Sequence, residues 1–168
     1  GWLSLQQIVK YSSNIGITKV IEMVGPETLY TTLKKFGFGN KTGLDCPGET
    51  SGILTPSHQW SKIDASAIAF GQGISTSAVQ LVSAASAIAN GGMLMKPFIV
   101  QAITSENGRV LKRTAPEIIG RAVSPEVASI VKRIMQTVVT EGGTGTSAFL
   151  DGYTVCGKTG TAQKTDQS

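Results

Sequence analysis

Apolar residues recur along the first part of the chain at helical spacing. Ile17, Val20, Ile21 and Val24 fall at i, i+3, i+4 and i+7, one stripe of a helix that Gly25 ends. Upstream, Ser4 and Gln7 stand at capping-box spacing and open a shorter helix toward Tyr11. Pro26 suits the first turn of a third helix carrying Leu29 and Leu33, which Gly37 closes. Residues 38–60 are rich in Gly, Pro and Asn and read as loops. From Thr76 or Ser77 to Ala89 the residues are apolar or small all round, which predicts a buried, closely packed core helix. Phe98 to Ile103 and Arg109 to Leu111 flank Glu106-Asn107-Gly108, a hairpin signal. Ser124-Pro125 opens a helix with Val127, Ile130, Val131, Ile134, Met135 and Val138 on one face, closed by Gly142-Gly143. After an Asp151-Gly152 turn, Tyr153 to Ala162 reads as a strand. The sum is an α+β chain, mainly helical, with at most three strands. That is few for a self-contained sheet, so further pieces of the fold are expected outside this sequence.

Composition narrows the class. The 168 residues are 40% hydrophobic, and a chain of that length buries roughly 68–70% of its unfolded surface, enough for one domain. Charged residues are 15% of the chain against about 25% in an average soluble protein. The net charge is +4, but the basic residues are dispersed and aromatics are only 6%, so neither a phosphate-tracking stripe nor a stacking platform for nucleic acid is visible. The longest apolar stretch, Ala78 to Ala89, is shorter than the roughly 18 residues of a membrane span. No secretory leader precedes Trp2, so any membrane anchor is expected upstream of this segment. Cys46 and Cys156 lack CxxC spacing and a neighbouring His. No metal and no other cofactor is expected, and both thiols are expected to be free.

Two patterns compete for the same residues. Gly152 to Thr159 satisfies the phosphate-loop string G-x-x-x-x-G-K-[ST], which implies a nucleotide triphosphatase. That loop needs small residues inside it and a helix after it. Here the interior is Tyr, Thr, Val and Cys, and Gly160 follows at once. The competing pattern is Lys158-Thr159-Gly160 on a strand, with Ser12-Ser13-Asn14 at a helix junction upstream. S-x-N and K-T-G, with S-x-x-K, are the signature of serine β-lactamases and penicillin-binding proteins. Alone, Ser12, Ser13 and Asn14 are good helix caps, and Lys158 is an ordinary strand-edge lysine. His58, the only histidine, sits in a loop with no matched motif and reads as structural.

A wider set of segments decides between them. Tyr11 to Gly16, Phe36 to Gly39, Pro47-Gly48-Glu49, Ala69 to Ser75, Ala89 to Gly92 and Gly157 to Gln163 resemble the transpeptidase domain of class B penicillin-binding proteins across nearly the whole chain. Asn14 resembles the cell-division or sporulation members, since elongation-type relatives usually carry Asp there. Departures are Ser77-Ala78, where Thr-Pro is commoner, and Cys156, where Ala is usual. The larger departure is that no S-x-x-K precedes Ser12. The one literal match, Ser129 to Lys132, lies after the S-x-N element, and helical geometry sets both residues opposite Val127, Ile134 and Val138, facing solvent.

The resemblance implies the helical lobe of the serine β-lactamase-like fold plus the K-T-G strand, as a partial transpeptidase domain over residues 1–168. The nucleophile helix and the rest of a five-stranded sheet are then missing, and the chain alone is expected to be inactive. The implied chemistry is serine acyl transfer on the D-Ala-D-Ala end of peptidoglycan stem peptides, with β-lactams as mimics and a non-catalytic penicillin sensor as the rival reading. Ser12 would relay a proton and Asn14 would orient the catalytic lysine and substrate amide. Lys158 would supply positive charge, while Thr159, Gly160 and Thr161 bind the substrate carboxylate along the strand edge. Strand alternation would put Thr159 and Thr161 on one face and Lys158 on the other. The resemblance further implies division or cell-wall machinery as partners and the periplasmic or extracellular face of the cytoplasmic membrane as location. Without later strands, Tyr153 to Ala162 is expected to pair with the 98–111 region or with another chain.

Overall fold

A computed structural model describes residues 1–161. Among these residues five α-helices are followed by four short strands and a sixth helix: α1 (Leu5–Lys10), α2 (Asn14–Val24), α3 (Pro26–Lys35), α4 (Lys62–Ala69), α5 (Ala78–Ala89), β1 (Met93–Met95), β2 (Ala102–Thr104), β3 (Val110–Arg113), β4 (Ile118–Arg121) and α6 (Pro125–Val139). The chain is α+β and mainly helical, as its pattern indicates. Side-chain caps set most helix starts. The expected Ser4/Gln7 capping box opens α1, and Pro26 and Pro125 occupy the first turns of α3 and α6. Helix α4 was not evident from periodicity. It is only eight residues long and alanine-rich, but Ser61 and Asp64 form a reciprocal capping box that marks its start.

Two small cores hold the helices. One joins α1, α5, α6 and β1 and buries Ala84, Ala87, Leu94, Ala128, Val138 and Val139. The other sits between α2 and α4, around Ile21, Ala65 and Ile68. Alanines at the α5–α6 contact let the two backbones approach closely. The expectation that α5 is buried all round is corrected: Leu81 is 60% and Val82 65% exposed, because nothing among the described residues packs on that side. Its buried face carries a polar residue. Gln80 is 1% exposed and donates through Nε2 to the carbonyls of Asn40 at 2.7 Å and Ser51 at 2.8 Å. Its Oε1 accepts from the Ser77 amide, so one satisfied amide ties the long 38–60 loop to the helix. On α6 the buried side runs through Ala128, Val138 and Val139, while Val127 and Ile130 are exposed.

Strands pair as two antiparallel ribbons, β1 with β4 and β2 with β3. The second is the hairpin expected around Asn107-Gly108; the first was not anticipated, its strands being three and four residues long. The predicted strand at Tyr153 to Ala162 is not formed as a ladder: Asp151 to Tyr153 is a turn and residues 154–161 are irregular. It does not pair with the 98–111 region, whose own ribbon closes on itself; Ala162 lies outside the described residues. Hydrogen bonds for that segment come instead from α6, the Gly157 amide donating to the Met135 carbonyl at 3.3 Å.

Asp45 anchors the entry to the hairpin. Its two carboxylate oxygens accept from the amides of Ile99, at 2.7 Å, and Val100, at 3.0 Å. These bonds hold its pKa below the ordinary carboxylate value. A depressed folded-state pKa means the anchor contributes fully above the unfolded value and is lost as pH falls through the folded one. We therefore expect the Ile99 and Val100 amides to lose hydrogen-exchange protection below about pH 4, and Asp45→Asn to lose it at neutral pH. Equal protection of these amides in D45N and the parent chain would refute the anchor.

Candidate active site

Ser12 owes its position to the way α1 stops. The Ser13 amide donates to the Ile8 carbonyl at 3.0 Å and the Ser12 amide to Val9 at 3.2 Å, the paired bonds of a Schellman C-cap. Such a cap puts its first residue past the helix in the left-handed region, normally glycine. Ser12 takes it with φ 53°, the sole non-glycine residue with positive φ among those described, at a cost of roughly 1–2 kcal/mol. Ser13, not Ser12, then caps α2 by accepting from the Gly16 amide at 3.1 Å. The capping role of the Ser-Ser-Asn run is thus taken by its middle residue, and the Ser12 hydroxyl is left for other partners.

That partner comes from 146 residues along the chain. Lys158 Nζ donates to Ser12 Oγ at 2.7 Å and to its neighbour's Thr159 carbonyl at 2.9 Å, with Thr159 Oγ1 at 3.3 Å. Desolvation lowers the Lys158 pKa below the ordinary lysine value, with no carboxylate close enough to oppose it. The amine curls back over Thr159, so the expected alternation of Lys158 against Thr159 and Thr161 is replaced: without a ladder to fix the pleat, Lys158 and the Thr159 hydroxyl face one another. Asn14 is the first residue of α2, exposed, and its side chain makes no hydrogen bond among the described residues. Thr161 is exposed and Gly160 has open space where a side chain would stand. Of the six candidates, Ser12, Lys158 and Thr159 are brought into direct contact, while Asn14, Gly160 and Thr161 are exposed beside them in sequence with no hydrogen bond to them.

A loop that sequence patterns did not single out ties the two segments together. Thr144 Oγ1 lies 3.0 Å from Thr159 Oγ1 and 3.3 Å from the Lys10 carbonyl, to which it donates. Lys10 Nζ in turn donates to the Glu141 carbonyl at 2.8 Å. The loop can turn this tightly because residue 143 is glycine: a Cβ there would fall 2.1 Å from the Val138 carbonyl oxygen. The run Gly142-Gly143-Thr144-Gly145 is the only sequence signal for it.

The remaining candidates resolve differently. Ser129 and Lys132 are half-buried, not solvent-facing as helical geometry alone indicated, and do not bond each other. Arg133 donates to Ser129 Oγ within α6, and Lys132 Nζ reaches the Ala89 carbonyl at the end of α5. Residues 152–159 lack the preceding strand that a phosphate loop requires, and their lysine is bound to Ser12. Cys46 and Cys156 are free and exposed. Among the described residues no cluster of His, Cys, Asp and Glu could hold a metal, and no helix is long and apolar enough to cross a membrane.

The chain is similar to known proteins along nearly its whole length. Residues 1–168 match the family model for the penicillin binding protein transpeptidase domain. Stage V sporulation protein D of Bacillus subtilis is 40% identical over 159 residues, 94% of this chain and 24% of that protein. The probable peptidoglycan D,D-transpeptidase PenA of Neisseria gonorrhoeae is 32% identical over 163 residues, 96% of this chain and 26% of that one. The crystal structure of penicillin-binding protein 3 from Mycobacterium tuberculosis in complex with aztreonam superposes with a TM-score of 0.87 at 35% identity, covering 96% of this chain and 37% of that one. The sequence thus spans about a quarter of the length of the curated relatives it matches.

Proposed function

The chain belongs to the penicillin-binding protein transpeptidase family, and from that premise we propose that it forms one wall of the active site of a peptidoglycan D,D-transpeptidase. In that reaction a serine hydroxyl attacks the carbonyl between the two D-Ala residues of a stem peptide. The amide C–N bond breaks and the leaving amine takes a proton, releasing D-Ala. An amine of a neighbouring stem then displaces the serine and completes the cross-link. The attacking serine belongs to an S-x-x-K element outside these 168 residues.

Each residue's part follows from what its atoms can do. Ser12, held by Lys158, can accept and donate a proton at one oxygen, which suits a relay between the reacting lysine and the leaving nitrogen. Asn14, exposed and with no side-chain partner among the described residues, offers one acceptor and two donors to orient a substrate amide. Lys158 sets a positive charge beside Ser12 for the substrate carboxylate, which the Thr159 and Thr161 hydroxyls receive over the open Gly160. The Thr161 amide would serve as an oxyanion donor, and such a donor typically contributes about 2.7–4 kcal/mol. We further propose that the parent protein works on the outer face of the cytoplasmic membrane with division or cell-wall machinery and takes β-lactams as substrate mimics.

The observation that carries this reading is the 2.7 Å bond from Lys158 to Ser12, which joins the two family motifs across 146 residues. Fluorescent penicillin followed by intact-mass and peptide mapping tests it. The longer protein that contains this sequence should acquire one acyl adduct on a serine outside residues 1–168, and the 168-residue chain none. A stoichiometric adduct on any serine of this chain, or no adduct on the longer protein, overturns it.

A further inference from the structure

A second concave site lies away from Ser12 and shares no residue with it. A cleft of about 350 Å³ opens between the C-terminal end of α3, the first half of α5 and the β1–β4 ribbon. Its floor is mixed, with the apolar Leu94 5% and the polar Gln80 1% exposed. Its rim carries Lys34, Lys35, Lys41 and Arg121 and no carboxylate.

Among the described residues two carboxylates feel these four cations from outside the cleft, Glu49 facing Lys41 and Glu126 facing Arg121, and none forms an ion pair with them. Lys34 Nζ donates to the neutral Asn40 side chain at 2.9 Å, and Arg121 donates through one guanidinium nitrogen to the Gly91 carbonyl at 3.1 Å. The one ion pair among the described residues, Lys96 with Glu117, is elsewhere. Glu49 approaches from behind Thr42, but its oxygens are taken by the Thr42 amide and hydroxyl and the Gly43 amide. Four of the chain's 15 cationic residues stand here, and the other eleven equal its eleven acidic ones, so the cleft accounts for the whole net charge. Lys34 and Lys35 lie in the last turn of α3, where a helix end carries roughly half a negative charge. Two full charges exceed that, and Lys41 and Arg121 lie on other elements.

We propose that this cleft binds a small phosphate-bearing molecule. A planar guanidinium and flexible ammonium groups are the side chains that recognise phosphoryl oxygens, and the cleft's size lies within the range of about 300–1,000 Å³ for small-molecule sites. The mixed floor of Leu94 and Gln80 suits a small organic portion attached to the phosphate.

Titration of the 168-residue chain with inorganic pyrophosphate, followed by amide chemical shifts, tests this at fixed ionic strength. Saturable one-to-one binding is expected, with shifts centred on Gly37, Thr42 and Gly120. K34Q/R121Q should weaken it at least about tenfold, the loss of charge-assisted bonds to two oxygens. K19Q/R109Q, which removes the same charge from outside the cleft, should bind within about twofold of the parent. Shifts scattered over all lysines, equal weakening in the two double variants, or citrate binding as tightly as pyrophosphate would each overturn the phosphate assignment.

Discussion

Ser12→Gly should leave this chain more stable and the longer protein less reactive. Glycine occupies the left-handed region without the Cβ clash that Ser12 accepts at φ 53°. The backbone bonds of the Schellman cap do not involve the side chain, so glycine keeps them. Relief of about 1 kcal/mol, after glycine's larger unfolded-state entropy is subtracted, corresponds to a rise of about 2–4 °C in melting temperature for a chain of this size. The same change removes the hydroxyl proposed as proton relay, and acylation of the longer protein by penicillin should slow about 10²-fold or more. Ser12→Ala separates the two effects, because it deletes the hydroxyl and keeps the strained Cβ. It should match the glycine variant in acylation and show no gain in melting temperature. Were S12A acylated at the parental rate, the hydroxyl would have no part in the chemistry. Were S12G no more stable than the parent, the strain would not be real.

The residues that could be placed from sequence are those whose signal is local. Ser4 with Gln7, Pro26, Ser124-Pro125 and Asn107-Gly108 each act within one turn or one hairpin, and the structure uses each as its chemistry requires. Burial was harder, because it depends on what comes to lie alongside. Leu81 and Val82 belong to a helix built mostly of apolar and small residues, yet both are exposed because no neighbour among the described residues covers them. Tyr153 to Ala162 failed for the related reason that strand propensity needs a partner ladder, and the two ribbons pair only with themselves. At the site, periodicity could find neither half of the Lys158–Ser12 contact as such, since 146 residues separate them; family resemblance supplied the link. Thr144 escaped both approaches: its bonds to Thr159 and Lys10 arise from a glycine-permitted turn that no propensity encodes.

Lys158→Met should cost the longer protein more than any other substitution in this chain. Methionine keeps length and apolar stem but removes three donors and the charge. Ser12 Oγ then loses its donor, the substrate carboxylate loses its counter-charge, and the Thr159 hydroxyl is no longer held. Loss of one proton-transfer partner or one oriented electrostatic contact each typically costs 10²-fold or more, so acylation by penicillin should fall by about 10³-fold. Lys158→Arg keeps the charge but replaces a compact ammonium with a planar fork, and should recover only part of that loss. The lowered pKa of Lys158 adds a test in pH. Its charge is lost at a lower pH than that of an ordinary lysine, whose value is about 10.4. Acylation of the parent should therefore decline as that charge is lost, and K158R should not show that limb. Stability carries the opposite sign. Between the folded and unfolded pKa values the unfolded chain binds more protons at this residue, so its contribution to stability rises with pH where activity falls. A K158R profile that declines with the parent's would assign the alkaline limb to another group, and a K158M protein acylated at even a tenth of the parental rate would remove Lys158 from the proposed chemistry.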